Sequence, residues 1–289
     1  MELIRVLRGW VHSDVPVGKE VDSSHIDWVR VVPFIALHLG CLGALWVGAS
    51  PAALAVAAAL FALRMFAVTG FYHRYFSHRA FRTSRAAQLV FALLGASAVQ
   101  RGPLWWASHH RHHHAHADRP EDAHSTRQHG FLWSHCLWFL AAGNVRTRVE
   151  RVRDLARYPE LRFIDRFDVA VPILLALTLY LAGGVQFFVW GFCISTVALY
   201  HATFTINSLC HRYGSRRYAT RDDSRNNWWL ALLTFGEGWH NNHHHDPRAA
   251  RQGFYWWELD FTYYALRALA ALGIVWDLNE VRREDRDRR

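Results

Sequence analysis

The sequence predicts an all-α integral membrane protein in which four transmembrane helices form two hairpins and a cytosolic helical cap holds a di-metal site. Three observations lead to this prediction. Hydrophobic residues occupy 52% of the 289 positions, although the formal net charge is +9. Long apolar segments alternate with arginine-rich segments, as in multi-pass proteins with a basic cytoplasmic face. Many of the 20 histidines are clustered close to these apolar segments.

Length and composition exclude several classes of protein. A chain of 289 residues has room for one large domain, which we place over residues 1–289. The basic residues are not interleaved with a recognisable DNA- or RNA-binding module, so no nucleic acid partner is expected. The four cysteines are scattered without a CxxC motif, and neither an iron–sulfur site nor a disulfide framework is indicated.

The first hairpin follows a charged N-terminal segment. Residues 1–30 are interpreted as a cytoplasmic arm, with an amphipathic stretch near Leu3–Trp10. Residues 31–63 carry no formal charge, and a Gly-Ala-Ser-Pro sequence interrupts them near the middle. This pattern predicts two membrane spans, near 31–49 and 52–71.

Two polar residues lie inside these spans. His38 is left outside the predicted site, because a lone intramembrane histidine is as often structural as functional. Arg64 lies late in the second span, where its side chain either snorkels to the cytoplasmic interface or faces protein. The sequence leaves both alternatives open.

The middle of the chain is predicted to form the cap. Ala86–Val99 is apolar but too short to span comfortably, so a buried or interfacial helix is expected. Phe131–Ala142 is aromatic-rich and suited to the membrane interface. Residues 146–166 contain seven arginines and are interpreted as a cytoplasmic linker.

The second hairpin is predicted by spans near 168–184 and 186–206, joined by a tight turn at Gly183-Gly184. Residues 277–289 form a charged, solvated tail. Arginines flank both hairpins on one side, and the turns inside the hairpins carry none. The positive-inside rule therefore places both termini and every histidine cluster in the cytoplasm.

Three histidine clusters predict the metal site. In the second and third clusters the spacing i, i+3, i+4 places the imidazoles on one helical face. The first pair is five residues apart and would diverge by about 140° on an ideal helix, so it serves one site only if the helix ends or bends. With one further histidine from a separate motif, the candidate ligands are His73, His78, His110, His113, His114, His211, His240, His243 and His244.

The remaining histidines near these clusters are expected to support the ligands, to lie at the surface or to be structural, and not to bind metal. They are His109, His112, His116, His124, His129, His135 and His245.

The donor set indicates the chemistry. Imidazoles with few carboxylates disfavour magnesium and calcium, and hydrolysis by zinc seldom needs so many ligands. Two iron ions with O2 as co-substrate suit the set better, because that chemistry attacks an unactivated C–H bond. The chain has no GxGxxG fingerprint and no iron–sulfur cysteines, so a separate electron-transfer protein and its reductase are expected. The basic face would attract an acidic carrier, of the ferredoxin or cytochrome b5 type, or anionic membrane lipids.

At this point the sequence resembles the membrane fatty-acyl desaturases of the Δ9 type, the family that includes the stearoyl-CoA desaturases. The resemblance runs from about residue 31 to residue 276. The matching motifs are HRYFSH at 73–78, HRHHHAHAD at 110–118, GFLWSH at 130–135, NSLCH at 207–211, GEGWHNNHH at 236–244 and RQGFYWWELD at 251–260.

The resemblance implies a four-span protein whose cytosolic cap holds two irons on the nine histidines, with Asn207 reaching a metal through water. It also implies a bent substrate tunnel that places C9 and C10 of a long saturated acyl chain beside the metals, where a cis double bond forms. By position, Gln100, Trp106 and Thr203 match the residues that shape the bend, and Phe61 is predicted to close the tunnel and limit chain length.

One departure concerns the acyl carrier. Acyl-CoA members carry Arg-Asp immediately before the second histidine cluster, whereas this chain has Ser108-His109. Acyl-CoA is the first expectation, an acyl lipid the second, and acyl carrier protein the third. Chain length, natural electron donor and oligomeric state are not predicted.

Two rival functions share part of this pattern. A membrane hydroxylase with the same histidine clusters is the nearest enzymatic alternative, although the NSLCH and RQGFYWWELD motifs favour desaturation. A membrane metal transporter or sensor would need coordinating residues inside the spans, where only His38 and His201 are candidates.

Overall fold

The computed structural model describes residues 25–287, and the predicted amphipathic stretch near Leu3–Trp10 lies outside them. The described chain is mostly helical, as predicted, with one two-stranded antiparallel sheet of Arg82–Thr83 and Val275–Trp276. Two groups of long apolar helices lead into a set of shorter helices that carry the histidines. The chain is therefore built as two apolar hairpins and a cap.

The first hairpin contains α1 (Trp28–Cys41), the short α2 (Ala44–Val47) and α3 (Pro51–Phe66). Gly48 has φ +60°, a left-handed conformation that glycine adopts without strain, and it ends the ascending arm. Ser50 then begins α3, because its hydroxyl accepts a hydrogen bond from the Ala53 amide at 3.1 Å and Pro51 occupies the first turn. The turn predicted from glycine, serine and proline is confirmed.

Beyond Phe66 the helix continues without a break as a π-helix over Ala67–Ser77. Its wider turn carries hydrogen bonds between residues five apart, such as the His78 amide donating to the His73 carbonyl at 3.2 Å. The helix thus changes its period at Ala67, six residues before the first histidine pair.

The second hairpin is one apolar stretch that reverses at the predicted glycines. It comprises α9 (Ala170–Phe187), a π-helical segment (Phe188–Ile194) and α10 (Ser195–Ser208). Gly183 and Gly184 leave helical geometry, with φ of −152° and +62°, and allow the reversal. Leu179 of the first arm then packs against Phe192 and Cys193 of the second.

Two helical stretches are long and apolar enough to cross a membrane: Pro51–Ser77, of 27 residues, and Ala170–Ser208, of 39 residues across the reversal. Val31–Val47 is a shorter apolar helix. Large apolar side chains such as Leu45, Trp46 and Leu181 are more than 70% exposed on these elements, as expected for contact with lipid. These features fit an all-α membrane protein, and four spans with a cytoplasmic cap remain a prediction.

Arg64 is fully buried in protein, which decides the alternative that the sequence left open. Its guanidinium donates to the carbonyls of Leu60 and Ser97 and to the hydroxyls of Ser195 and Thr196. These acceptors are neutral, and they join α3 to α10 through a buried polar contact.

The cap surrounds the histidines with short helices, and its core is formed by Phe71, Phe76, Phe91 and Leu266 among others. The predicted interfacial helix 86–99 is α4, and the predicted linker 146–166 contains two short helices. The helices of the cap are α4 (Arg85–Ala96), α5 (Pro103–His116), α6 (Thr126–His129), α7 (Arg153–Ala156), α8 (Pro159–Arg166), α11 (Trp228–Leu233), α12 (His240–His245), α13 (Phe261–Ala271) and α14 (Arg283–Asp287).

The last of these, α14, lies in the charged tail. None of its side chains is buried, but its backbone contacts the cap. The Tyr218 hydroxyl donates to the Arg286 carbonyl at 2.7 Å, and His245 Nε2 lies 3.0 Å from the Asp285 carbonyl.

Candidate metal centre

The nine predicted ligands form two adjacent sets of imidazoles. Within each set, one nitrogen of every ring lies within 4.8 Å of the corresponding nitrogens of the others. The closest approaches are 2.7 Å between His78 and His110 and 3.1 Å between His211 and His240. The first set is His73, His78, His110, His114 and His243, and the second is His113, His211, His240 and His244.

The π-helix explains how His73 and His78 reach the same set. On an α-helix, residues five apart diverge, but in this segment the i→i+5 hydrogen bond stacks one residue above the other. Their ring centroids are 4.9 Å apart. The bend that the sequence required is therefore a change of helical period.

The histidine-rich helices α5 and α12 each serve both sets. On α5, His110 and His114 join the first set and His113 the second. On α12, His243 joins the first set, whereas its sequence neighbour His244 joins the second. The histidines of one cluster were expected to share one face of a helix. Instead, each helix contributes to both sets, because the two sets lie side by side against both helices.

Carboxylates that the sequence analysis did not single out hold the second nitrogen of several rings. His113 Nδ1 lies 2.9 Å from Asp122, and His211 Nδ1 lies 2.8 Å from Asp118. His244 Nδ1 lies 2.9 Å from Asp222, and Glu237 pairs with His73 Nδ1. A carboxylate at Nδ1 fixes the proton there and leaves Nε2 free to bind a metal. Asp118 and Glu237 lie inside the histidine motifs, and this position in the sequence could have identified them as partners of the imidazoles.

The electrostatics favour neutral rings at several of the candidate ligands. His113 differs, because burial would lower its pKa but the carboxylate of Asp122 outweighs burial and raises it. Burial, followed by the neighbouring histidines, lowers the pKa values of His110, His114, His240 and His243 well below the ordinary value. Burial lowers the pKa of His244 to about 4, although Asp222 opposes the shift. Neutral imidazole is the form that coordinates metals, so these rings are ready to act as ligands.

A buried ring nitrogen without a hydrogen-bond partner indicates that a cation fits between the imidazoles. His244 Nε2 is buried and makes no hydrogen bond, while Nδ1 of the same ring is held by Asp222. A buried polar atom without a partner is costly unless a ligand satisfies it. The nine imidazoles therefore fit transition-metal ions, and a donor set without directly facing carboxylates suits iron better than magnesium or calcium.

An apolar cavity of about 520 Å³ extends from the histidines towards the hairpins. His73, His110, His113 and His240 line its polar end. Its apolar end is formed by side chains of α1, α9 and the π-helical segment of the second hairpin, among them Leu37, Pro172, Ile173, Ala176 and Phe192. The volume and lining suit a long apolar chain that reaches the candidate metal site.

Three residues predicted to shape the tunnel line this cavity. Gln100 Nε2 donates to Thr203 Oγ1 at 2.9 Å and so joins the segment after α4 to α10. The Trp106 ring stacks on His110 at 4.8 Å and lies 5.8 Å from His73. These contacts connect the wall of the cavity to the metal ligands.

Comparisons with known proteins agree with this geometry. The family model described as fatty acid desaturase matches residues 49–277, well over half of the chain. The chain belongs to the fatty acid desaturase family. Members of this family generally use two irons, O2 and an external electron donor.

The desaturase is similar to curated relatives that differ in carrier and in double-bond position. It is 38% identical to the acyl-CoA 5-desaturase AL21 of Anemone leveillei, over 92% of this chain and 86% of the relative. It is also 38% identical to the sn-1 stearoyl-lipid 9-desaturase of Anabaena variabilis, over 86% of this chain and 93% of the relative. The Delta-9 acyl-lipid desaturase 1 of Arabidopsis thaliana is 37% identical, over 88% of this chain and 83% of the relative.

Two further predicted residues of this desaturase have distinct positions. Asn207 lines the cavity with His113 and His240, and its backbone carbonyl accepts a hydrogen bond from Ser134. Phe61 is not among the described residues that line the cavity, but it packs against the cluster of Met65 and Val68, of which Val68 lines the cavity. Water-mediated metal binding by Asn207 and chain-length control by Phe61 remain predictions.

The other histidines of the cap make contacts of their own. His109 is buried beneath the Arg146 carbonyl, and burial lowers its pKa to about 3. His124 lies beside Asp122 and forms a small group with Asp122 and His113. His112 faces the Glu121 carbonyl at 3.0 Å. Their contacts support the ligand helices, and the prediction that they bind no metal stays a prediction.

Proposed function

We propose that this desaturase introduces a cis double bond at C9 of a long saturated fatty acyl chain carried by CoA. The observation that carries the proposal is the pair of imidazole sets at the polar end of a cavity lined by apolar side chains. Two iron ions held by these sets would supply the O2 chemistry that removes hydrogen from an unactivated C–H bond. Per double bond, O2, two electrons and two protons are consumed and two waters form.

The chain's own residues bind and orient the substrate. The apolar wall excludes water and accepts the acyl tail, which leaves the reacting carbons beside the imidazoles. The hydrogen bond from Gln100 to Thr203 fixes the wall near Trp106 and so supports a defined double-bond position. The carboxylates of Asp118, Asp122 and Asp222 hold the ring protons at Nδ1.

An acyl lipid is the second candidate for the carrier. Ser108 is fully buried and donates to the Trp105 carbonyl at 2.9 Å, and His109 is buried beside it. Neither side chain offers an exposed charge to the phosphates of CoA. Ile173 lines the cavity while it is 60% exposed on α9, as expected for a wall open towards lipid.

Fatty-acid analysis tests the proposal. Cells that express the protein with a competent ferredoxin or cytochrome b5 system are expected to accumulate cis-Δ9 fatty acids, located by gas chromatography with derivatised double bonds. Assays of purified protein in nanodiscs with stearoyl-CoA and with stearoyl phosphatidylcholine then identify the carrier. A hydroxylated product would favour the sister hydroxylases, and an unchanged lipid profile with iron-loaded protein would exclude fatty acyl substrates.

A further inference from the structure

Three histidines outside the metal centre form a continuous chain of hydrogen bonds. His38 of α1 and His201 of α10 approach through their Nε2 atoms at 3.1 Å. His201 Nδ1 lies 3.0 Å from Nε2 of His135, in the π-helical turn Trp133–Leu137 of the cap. His135 Nδ1 lies 2.9 Å from the Ser208 hydroxyl. We name these three residues the histidine chain.

The hydrogen bonds of the histidine chain fit one consistent set of neutral tautomers. His38 Nδ1 lies 2.7 Å from the Phe34 carbonyl, which can only accept, so this nitrogen carries the proton and Nε2 accepts. His201 must then donate from Nε2 and accept at Nδ1. His135 donates to it from Nε2, so its Nδ1 is an acceptor that faces the Ser208 hydroxyl, and that hydroxyl also lies 3.0 Å from the Phe204 carbonyl. The three hydrogen bonds that the histidines donate therefore run in one direction, from His135 through His201 and His38 to the Phe34 carbonyl.

The histidine chain lies behind the substrate cavity. None of its three rings lines the cavity, and His201 is exposed on the outer face of α10. Polar side chains on a face that contacts lipid are costly and are associated with function. Burial, followed by His201, lowers the pKa of His135, in keeping with a neutral ring.

Each member of the histidine chain is one helical turn from a phenylalanine that lines the cavity. The pairs are His38 with Phe34, His135 with Phe139, and His201 with Phe204. The Phe139 ring lies 5.7 Å from Phe34 and 5.2 Å from Phe204. These three rings, from three separate elements, form one continuous aromatic wall, which leads along α10 to Asn207.

We propose that the histidine chain fixes this aromatic wall and thereby sets the position of the acyl chain relative to the metal centre. The three histidines are positioning residues, since they act through Phe34, Phe139 and Phe204. This inference rests on the proposed function for the nature of the bound chain. Hydrogen bonds can hold the aromatic wall in place because water does not compete for them at an apolar surface. Their directionality fixes the register of α1, α10 and the π-helical turn relative to one another.

A pair of variants at the middle histidine tests the proposal. His201→Leu removes both hydrogen bonds and keeps a side chain compatible with lipid. His201→Gln retains a carbonyl acceptor and an amide donor. Full-length, metal-free protein in nanodiscs is titrated with a fluorescent C18 fatty acid. We expect affinity to fall about three- to tenfold in His201→Leu, as for the loss of one or two hydrogen bonds, and to be largely restored in His201→Gln.

The matched control is Thr178→Leu, which makes the same change from polar to apolar on the exposed face of α9. It should leave fatty-acid affinity unchanged. In iron-loaded enzyme, His201→Leu should also add positional isomers beside the main product, whereas Thr178→Leu should not. Equal affinity and a single product in His201→Leu and wild type would overturn the proposal.

A double variant separates the proposed role from general loss of folding. If His38 and His201 act as one chain, His38→Leu/His201→Leu should bind the fatty acid about as weakly as either single variant. Additive losses would contradict a shared role. The binding measurement does not need turnover, so it tests the histidine chain separately from the proposed function. If the wild type is inactive but the two substitutions still have non-additive effects on binding, the proposed function is refuted and the role of the histidine chain is supported.

Discussion

His243 is the imidazole on which the first ligand set depends most. Its Nε2 atom lies 3.0 Å from that of His73 and 2.9 Å from that of His114, so its ring connects α12 to the other two ligand segments. His243→Ala should abolish turnover and release metal, because four imidazoles would remain around an enlarged gap. Iron content by mass spectrometry and fatty-acid profiles check this. His25→Ala, an exposed ring outside both sets, is the control, and full activity of His243→Ala would refute the ligand assignment.

Phe61 is predicted to limit the length of the bound acyl chain. It packs against Met65 and against Val68, which lines the cavity, and its ring lies 6.5 Å from that of Phe235. Phe61→Ala should create a void of side-chain size and admit acyl chains longer by about two to four carbons, with some loss of stability. Product chain lengths measured with C16, C18 and C20 substrates check the prediction. An unchanged profile would remove Phe61 from that role.

Residue spacing predicted the imidazoles of the second and third clusters as ligands, but it could not find the carboxylates behind them. Asp222 is 22 positions before His244, and only the folded cap brings the pair to 2.9 Å. Asp118, beside the second cluster, pairs with the distant His211. Contacts between remote segments depend on tertiary packing, which local spacing does not encode.

The element that positions three ligands is α5, and a single carboxyl fixes its start. Asp165 accepts hydrogen bonds from the amides of Leu104 and Trp105 at 3.0 and 2.8 Å. A side chain at Gly102 would collide with it, since an added Cβ would lie 2.3 Å from the carboxylate. Asp165 therefore caps the helix that carries His110, and the close approach requires glycine.

Asp165→Ala should destabilise the protein by about 0.5–2 kcal/mol, as for other lost helix caps. Burial raises the pKa of Asp165 to about 6, above the ~3.9 of an unfolded chain. The stabilisation from its retained proton is thus greatest below about pH 4 and declines as the pH rises through 6. Thermal unfolding of metal-free protein between pH 4 and 7 checks this. A flat difference between wild type and Asp165→Asn would contradict it.

At the scale of elements, the sequence predicted the hairpin turns and the short cap helices because glycine, proline and apolar length act locally. It could not predict the π-helix of Ala67–Ser77, since the choice between two helical periods depends on packing. The consequence is specific: an ideal helix would have separated His73 from His78, and the wider turn brings them together.

The whole molecule is predicted to have both termini and the metal centre on the cytoplasmic side. In a variant with Cys41 and Cys136 replaced by serine, Ala49→Cys in the first hairpin turn should react with an impermeant maleimide on intact cells. Arg216→Cys in the cap should react only after permeabilisation. Both positions are exposed, so reactivity reports sidedness. The reverse pattern, or labelling of both on intact cells, would contradict the predicted topology.

The division of adjacent histidines between the two sets has a thermodynamic consequence for the whole cap. His113 and His114, like His243 and His244, are neighbours in the chain but belong to different sets of imidazoles, and each set is proposed to hold one ion. The first ion to bind orders α5 and α12, and this ordering has an entropic cost. The second ion binds to helices that are already ordered, so its binding costs less entropy. Uptake of the two ions should therefore be positively cooperative, with little half-loaded protein at intermediate iron concentrations.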